Sequence, residues 1–513
     1  MKKARFIFNR AILQLGLNVE EFIPLVGSLN PRGLDVNVSA APTKDQLFQN
    51  CLFYPVKNPF TGKDSLYVSR RPGVPASGTS DSANFSLGSI TGFYYWKALG
   101  TTVRYGFYNP GFPTYRMIPV DSTGAHSAQD TGLSPIVHVS ETKNSSGTPC
   151  IVYISAAAPN TYTTMYVWAD GDAADTAVTV PSGSCGHPVH MDGYTFVANT
   201  DGKIYNSPLN DITGSYTDFI GTDMDPDKLV TLGKRDEYVW AFGTHSMECF
   251  RITENVTGSP LQRVTENFHK IGIFKRIASG GLFSSLSFNA PPIVNGNDTL
   301  YWLGQEEGHL GVYQMDGNSP KKISGAFEDK YLQNFNGYFK YLVIGKRRLL
   351  LIGTPYLWLV LDIESGIWST WLSTKSGTFS TWFNTGNGEG LVMASGTTYY
   401  TWVPGDTVPY LDVDATITRT IRTSNIDFDN NELKDFPGLT ILGDRASSTS
   451  NIAVRWSKDD YQTWTSSKNI DMSSTYPGLY ALGVGRRIAF EFSDTVQSEQ
   501  RLRGFELDYN IRD

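Results

Sequence analysis

Apolar and polar residues alternate along most of this chain with a period near two, the spacing of a β-strand whose successive side chains face opposite ways. The stretch TGFYYWKALGTTVRYGFYN (91–109) reads as two aromatic-rich strands around a glycine turn, and PCIVYISAAAPNTYTTMYVWADG (149–171) as another pair bent at Pro159-Asn160. In GYTFVANTDGKIYNSPL (193–209), Asp201-Gly202 between two alternating runs is a strong hairpin signal. KLVTLGKRDEYVWAFGTHSMECFRIT (228–253) predicts three strands, with turns at Lys234–Glu237 and Gly243–His245. The same grammar returns at 298–324, 339–371 and 390–403.

These units succeed one another at irregular intervals of about 35–50 residues, a period typical of solenoids and propellers. Three to four strands per unit selects the propeller, whose blades bury their faces only by stacking on neighbours. No WD or kelch signature repeats at a fixed offset, and a many-stranded β-sandwich is the competing architecture. The expectation is an all-β fold in three regions. Residues 1–75 form an N-terminal arm or strand region, with EEFIPLVG (20–27) as a short helix or arm. Residues 76–407 form a propeller-like domain of hairpin or four-stranded blades. Residues 408–513, with strands such as NIAVRW and RRIAFEF, form a sandwich-type module.

Composition supports strands over helices. Aromatic residues make up 13% of the 513 residues and charged residues only 18%, with 49 glycines. That is ample apolar material for a large core, which excludes global disorder. The 43 basic and 50 acidic residues give a net charge of −7, the wrong sign for a protein that grips phosphates. Cys51, Cys150, Cys185 and Cys249 are too scattered for a secreted disulfide framework. The first residues, MKKARFIFNRAILQLGLN, are basic and then apolar, but Asn9 and Arg10 interrupt the run and no clean cleavage site follows. No signal peptide is expected, and no apolar run approaches the ~20 residues of a membrane helix.

Candidate chemistry is sparse. SKDDYQTW (457–464) resembles the Asp-box of sialidases, S-x-D-x-G-x-T-W, with Tyr461 in the place of the turn glycine. In those proteins the box is a turn device, and Trp464 is expected to be a buried packing residue. Cys185, His187 and His190 have zinc-compatible chemistry, but they sit on a short glycine-rich stretch expected to be a surface loop. The acids Asp236, Glu237, Glu306, Glu307, Asp459 and Asp460, and the basic Lys346-Arg347-Arg348, fall in expected turns, where charges face water. There is no G-x-S-x-G, no P-loop and no G-x-G-x-x-G opening a helix. No catalytic residue, metal ligand or cofactor is expected, although a propeller-type carbohydrate-active enzyme and a general interaction propeller are alternatives.

Several segments together resemble the tail hub (nozzle) proteins of short-tailed phages, also called packaged-DNA stabilisation proteins. SLYVSRRPGVP carries that family's R-P-G element as Arg71, Pro72 and Gly73. WAFGTHSMECFRI follows its G-x-x-S-x-E-x-F with Gly243, Ser246, Glu248 and Phe250. The next stretch supplies Trp302, Leu303, Gly308, Val312, Tyr313, Gly317, Pro320, Ile323 and Ser324; then come Trp368 and Trp371 as W-x-x-W, and WSKDDYQTW near the end. The order is kept across residues 50–510. Val74 and Tyr461 depart from the usual residues, both in local geometry only.

The resemblance implies a non-enzymatic virion component, assembled in the host cytoplasm, that acts in the phage tail. It implies a homo-hexameric ring beneath the portal and adaptor proteins that extends the DNA channel, retains packaged DNA and docks a needle, plug, fibre or spike. A mildly acidic chain suits double-stranded DNA that must pass without sticking, and no small-molecule substrate is expected.

Overall fold

The computed structural model describes, with side chains, residues 47–54, 66–73, 138–154, 161–169, 175–225, 227–253, 258–274, 292–296, 298–333, 335, 339–344, 347–354, 357–372, 411–412, 415–428, 431–496 and 499–512. Backbone strands alone are described at 2–7, 55–57, 64–65, 79–80, 89–95, 104–109, 116–121, 124–125, 129–130, 136–137, 155, 381–383, 391–395 and 398–402. The expected helix or arm at 20–27 and the bend at Pro159-Asn160 lie outside these residues.

The described residues are nearly all strand. Antiparallel meanders follow one another from residue 89 to 402, as the alternating pattern predicts. Strand Thr176–Met191 is shared: its first part closes a unit begun at Ile136–Lys143, and its second part opens a unit that ends at Asp218–Gly221. Counted this way, the described residues form seven units of about four strands. The last unit, Thr381–Phe383, Leu391–Ser395 and Thr398–Trp402, takes its fourth strand from Thr79–Ser80 near the other end of the chain.

First strands of successive units lie against one another. Leu229–Arg235 touches Thr176–Met191 and Ile293–Gly296, Ile293–Gly296 touches Phe339–Ile344, and Thr381–Phe383 reaches both Phe339–Ile344 and Ser89–Tyr95. The last unit thus lies against the first. This is the arrangement of a β-propeller, with the first strands nearest the axis.

Period-two alternation explains how the blades stack. In strand Tyr238–Gly243, Val239 and Ala241 face Phe196 and Ile204 of the preceding blade, while Trp240 and Phe242 face Leu300 and Trp302 of the following one. In Thr299–Glu306, Leu300 and Trp302 point back, and Tyr301 and Leu303 point forward to Leu350 and Leu359. These two blades are buried on both faces, so their strands read as nearly continuous apolar runs. The helix Ala326–Leu332 packs into the last of these seams through Phe327, Tyr331 and Leu332.

The C-terminal residues form a sandwich that the N-terminal strands complete. One sheet runs Cys51–Lys57, Asp64–Arg70, Leu502–Ile511, Lys434–Gly443, Gly478–Gly485, with Lys2–Ile7 also paired to Leu502–Ile511. The facing sheet contains Arg419–Arg422, Ala489–Asp494, Asn451–Ser457 and Lys468–Asp471. Phe53, Val68, Ile421, Phe436, Phe490 and Phe505 fill the space between. The short strand Leu47–Gln49 pairs with Arg419–Arg422 on one side and, in parallel, with Ile367–Trp371 of a blade on the other. A single nine-stranded sheet thereby runs from propeller to sandwich.

Candidate functional site

Two constellations of polar residues stand out: the seam between propeller and sandwich, and the axis of the propeller. The seam is built on the R-P-G element. Arg71 is fully buried, and its guanidinium forks onto both oxygens of Asp412 at 2.9 and 2.6 Å. Its Nε donates to Asn50 Oδ1 (3.0 Å) and Nη2 to the carbonyl of Leu372 (2.9 Å), and it lies over the Trp371 ring. Arginine suits this position because its planar fork can satisfy several acceptors at once while staying charged. Gly73 is required by space: a Cβ there would stand 2.0 Å from the Leu411 carbonyl oxygen. One tripeptide thus joins the first sandwich strands, the end of a blade and the start of the C-terminal residues.

Neighbouring charges repeat the device. Asp494 accepts from both Arg70 and Arg419, and Arg419 also donates to the carbonyls of Val68 (2.9 Å) and Gln500 (2.8 Å). Glu491 is shared by Arg422 (2.6 Å) and Arg455 (2.6 Å). Trp371, the second tryptophan of W-x-x-W, donates from Nε1 to the Cys51 carbonyl at 3.3 Å. The first, Trp368, donates to the Ile323 carbonyl at 3.1 Å, next to Ser324, which accepts from Val312 N and donates to Asp329.

Gly243, Ser246, Glu248 and Phe250 hold one blade to the previous one. Asp227, in the connecting loop, accepts from the amides of His245 (2.5 Å) and Ser246 (3.0 Å) and from the Thr244 hydroxyl (2.5 Å). Burial pushes its carboxyl up, yet the bonds from Thr244, His245 and Ser246 outweigh that and hold it below the usual range. A side chain on Gly243 would strike Asp227 Oδ2 at 2.2 Å. Glu248 accepts from Met224 N (3.1 Å) and Arg263 Nε (2.9 Å), and Arg263 reaches on to Gly221 O. Burial raises Glu248, with Arg263 opposing.

The Asp-box-like segment is a turn. Asp459 accepts from the Ser457 hydroxyl (2.8 Å) and from the Thr463 amide (2.9 Å) and hydroxyl (2.5 Å); the Thr463 bonds hold its carboxyl at about 2. Tyr461 stands where the motif has glycine and does adopt a left-handed backbone, φ 64°. Its ring is buried and its hydroxyl donates to the Thr423 carbonyl at 3.0 Å, which offsets the strained backbone. Trp464 differs from expectation. It is only half-buried, resting against the guanidiniums of Arg422 and Arg455, because the turn is on the sandwich surface and Tyr461 fills the core position.

Cys185, His187 and His190 are not in a loop but in strand Thr176–Met191, beside the propeller axis. The positive φ of Gly183 (88°) and Gly186 (68°) gave the stretch its loop-like composition; at Gly186 a Cβ would meet Thr231 Cα at 2.4 Å, so glycine serves close blade contact. Cys185 points into an apolar interface and its Sγ lies 3.4 Å from the Leu229 carbonyl. The histidines turn the other way and meet His138, which sequence reasoning did not single out because it lies about 50 residues earlier. The His138 and His187 rings stack with centroids 3.9 Å apart. His190 bonds the hydroxyls of Ser140 (2.8 Å) and Thr195 (2.9 Å). Burial lowers all three: His187 to about 3, His190 to about 4, and His138 well below its ordinary value, with Lys340, Lys234 and the other imidazoles adding repulsion. Among the described residues, no group of three or more His, Cys, Asp or Glu is arranged to hold a metal ion.

Above this cluster a cavity of about 530 Å³ opens between blades, lined by Glu141, Lys143, His190, Asp192, Tyr194 and Lys234 among others. A second, of about 450 Å³, is lined by Asp201, Asp223, Asp227 and Lys228 with small neighbours. No arginine lines either, and among the described residues no helix is long and apolar enough to cross a membrane.

No curated protein matches this chain. A solved structure of the WD40 domain of Neurospora crassa Pan2 is similar at 10% identity, covering 63% of this chain and 92% of that one with a TM-score of 0.40. Residues 153–384 match the Phage_stabilise family, described as "Bacteriophage P22 Gp10, beta-propeller", and these residues run from the second strand of one blade to the first of the last. That match supports a bacteriophage structural protein built around a β-propeller.

Proposed function

We propose that this chain is the tail hub (nozzle) subunit of a short-tailed phage. In this reading, six copies form a ring below the portal and adaptor. The ring extends the DNA channel, keeps the packaged genome in place and docks the distal needle, plug, fibre or spike. The observation that carries the reading is the family match over residues 153–384, together with what the shared motif residues do here. Arg71, Gly73, Glu248, Trp368 and Trp371 all fasten one unit to another, and none is arranged around a substrate. A wall under pressure needs this: side-chain locks that keep blades and sandwich in register while exposed loops make the contacts. The chain is accordingly read as non-enzymatic and located in the virion tail.

The test is assembly without this chain. Particles lacking it are expected to package DNA, then lose it, and to carry no distal tail parts; adding the purified chain to freshly filled particles restores retention. Particles that retain their DNA and complete their tails without it contradict the proposal.

A further inference from the structure

One edge of the sandwich is closed by a strand from the far end of the chain. Lys2–Ile7 pairs antiparallel with Leu502–Ile511 over six consecutive positions, from Lys2 opposite Tyr509 to Ile7 opposite Gly504. Among the described residues it pairs with no other strand. Asp64–Arg70 pairs with Leu502–Ile511 only at Val68 opposite Leu502, so residues 2–7 are what covers positions 504–509.

This edge is matched to the segment residue by residue. Phe505 and Leu507 belong to the sandwich core, while Glu506 and Asp508 lie half-buried on the other face. The register places Phe6 opposite Phe505 and Ala4 opposite Leu507, and it places Arg5 opposite Glu506 and Lys3 opposite Asp508. Directly opposed residues share a face of the sheet, so apolar meets core position and base meets acid position at alternate steps. A slip of one residue would set the bases against the core positions. The segment is also joined to the rest of the molecule at a great distance along the chain. Residues 8–46, 39 in all, separate it from Leu47–Gln49, the strand that bridges propeller and sandwich. That many residues span at most about 130 Å. Only six residues, by contrast, join Cys51–Lys57 to Asp64–Arg70 in the same sheet.

On the ring reading above, on which this depends, we infer that residues 2–7 of each subunit pair with positions 504–509 of the adjoining copy. The same six pairs form at either edge, so exchange sacrifices no pairing. It leaves no edge open either, because each subunit gives one strand and receives one. In the free chain the covalent connection favours the home edge, since it holds the strand there at high effective concentration. Side by side in a ring, copies supply a second edge at comparable concentration, and exchange stitches neighbours together through main-chain bonds. The subunit is then single in solution and linked in the tail.

Two full-length variants, Lys3→Cys and Asp508→Cys, are mixed and oxidised, first free and then after joining a portal–adaptor complex. Opposed positions of an antiparallel pair lie within disulfide range. Cys51, Cys150, Cys185 and Cys249 are all buried and do not compete. Neither variant holds both new thiols, so a bond between positions 3 and 508 can form only across chains. Non-reducing electrophoresis with peptide mass mapping is the readout. The expected result is dimers bonded between these positions in the ring sample and none in the free mixture. A third variant carrying both substitutions should bond internally when free and give a ladder of linked chains in the ring. A ring in which the third variant bonds only internally and the mixture gives no dimers overturns the exchange. Absence of the bond in every sample overturns the pairing itself. If no ring forms while the free third variant still bonds internally, the tail-hub reading falls, and the exchange with it.

Discussion

Ionisable side chains gather at the seam and at the axis, and the two places are built oppositely. At the seam each arginine faces a carboxylate: Arg71 with Asp412, Arg70 and Arg419 with Asp494, Arg422 and Arg455 with Glu491. At the axis the imidazoles face lysines and one another. Pairing of opposite charges makes a static lock, because each of these desolvated charges has its counter-charge beside it. At the axis, burial holds the imidazoles neutral, so stability there depends on pH. The seam holds shape; the axis responds to pH.

The largest effect comes from unpairing the seam. Arg71→Met strands Asp412 in a fully buried site and is expected to cost about 3–5 kcal/mol, read from urea unfolding. Adding Asp412→Leu should recover most of that loss, since an apolar pair can replace a buried ion pair. If the double variant is no better than the single one, the pair's role is not electrostatic matching.

Next come the two aromatics of the turn at 457–464. Tyr461→Ala removes a buried ring and its bond to Thr423 while keeping the left-handed backbone strained, and should cost about 3–4 kcal/mol. Trp464→Ala should cost only about 1–2 kcal/mol, because the ring is half-buried and held by two cation–π contacts. The reverse ranking would show that the surface turn, not Tyr461, anchors this part of the sandwich.

A smaller effect separates the regions by pH. His187 and His190, held at about 3 and 4 against 6.5 unfolded, contribute stability that is present above pH 6.5 and lost as pH falls toward 4 and 3. Glu328, raised to about 7 chiefly by burial, acts in the opposite sense: its contribution is present below pH 4.5 and lost as pH rises through 7. Thermal midpoints from pH 4 to 8 should therefore rise with pH less than the histidines alone dictate, and Glu328→Gln should steepen the rise. The double variant His138→Phe, His187→Phe should flatten the acid side. A profile unchanged by either would mean that these groups are not held as the geometry requires. The smallest effect is a null one: with a net charge of −7, duplex DNA should show no tight, steeply salt-dependent binding in filter or anisotropy assays at physiological salt.

Local pattern made the blades legible and left their closure hidden. Strands 229–253 and the Asp201-Gly202 hairpin follow from alternation and turn chemistry, and the structure has them there. Thr79–Ser80 completing the last blade, and Leu47–Gln49 bridging two bodies, are long-range pairings of two or three residues, too short to carry a period. The strand at 176–191 was masked by Pro181, Gly183, Gly186 and Pro188, residues that usually punctuate loops but here let a bent strand pass close to its neighbour. The motif Arg71-Pro72-Gly73 was legible as a motif, yet its partner Asp412 lies 341 residues away and nothing local announces it. The axis cluster was half seen: His187 and His190 stand out for zinc-compatible chemistry in an expected surface loop, whereas their neighbour His138 needed the fold.

The central claim is that this propeller and its sandwich form one rigid subunit of a tail ring. Cryo-electron microscopy of the purified chain added to a preformed portal–adaptor complex tests it most directly. The account predicts six copies in a closed ring beneath the adaptor, each with propeller and sandwich in the relative position held by Arg71 and Leu47–Gln49, while the chain alone stays monomeric. Chains that fail to join the complex, or that join with propeller and sandwich in varied orientations, would contradict it.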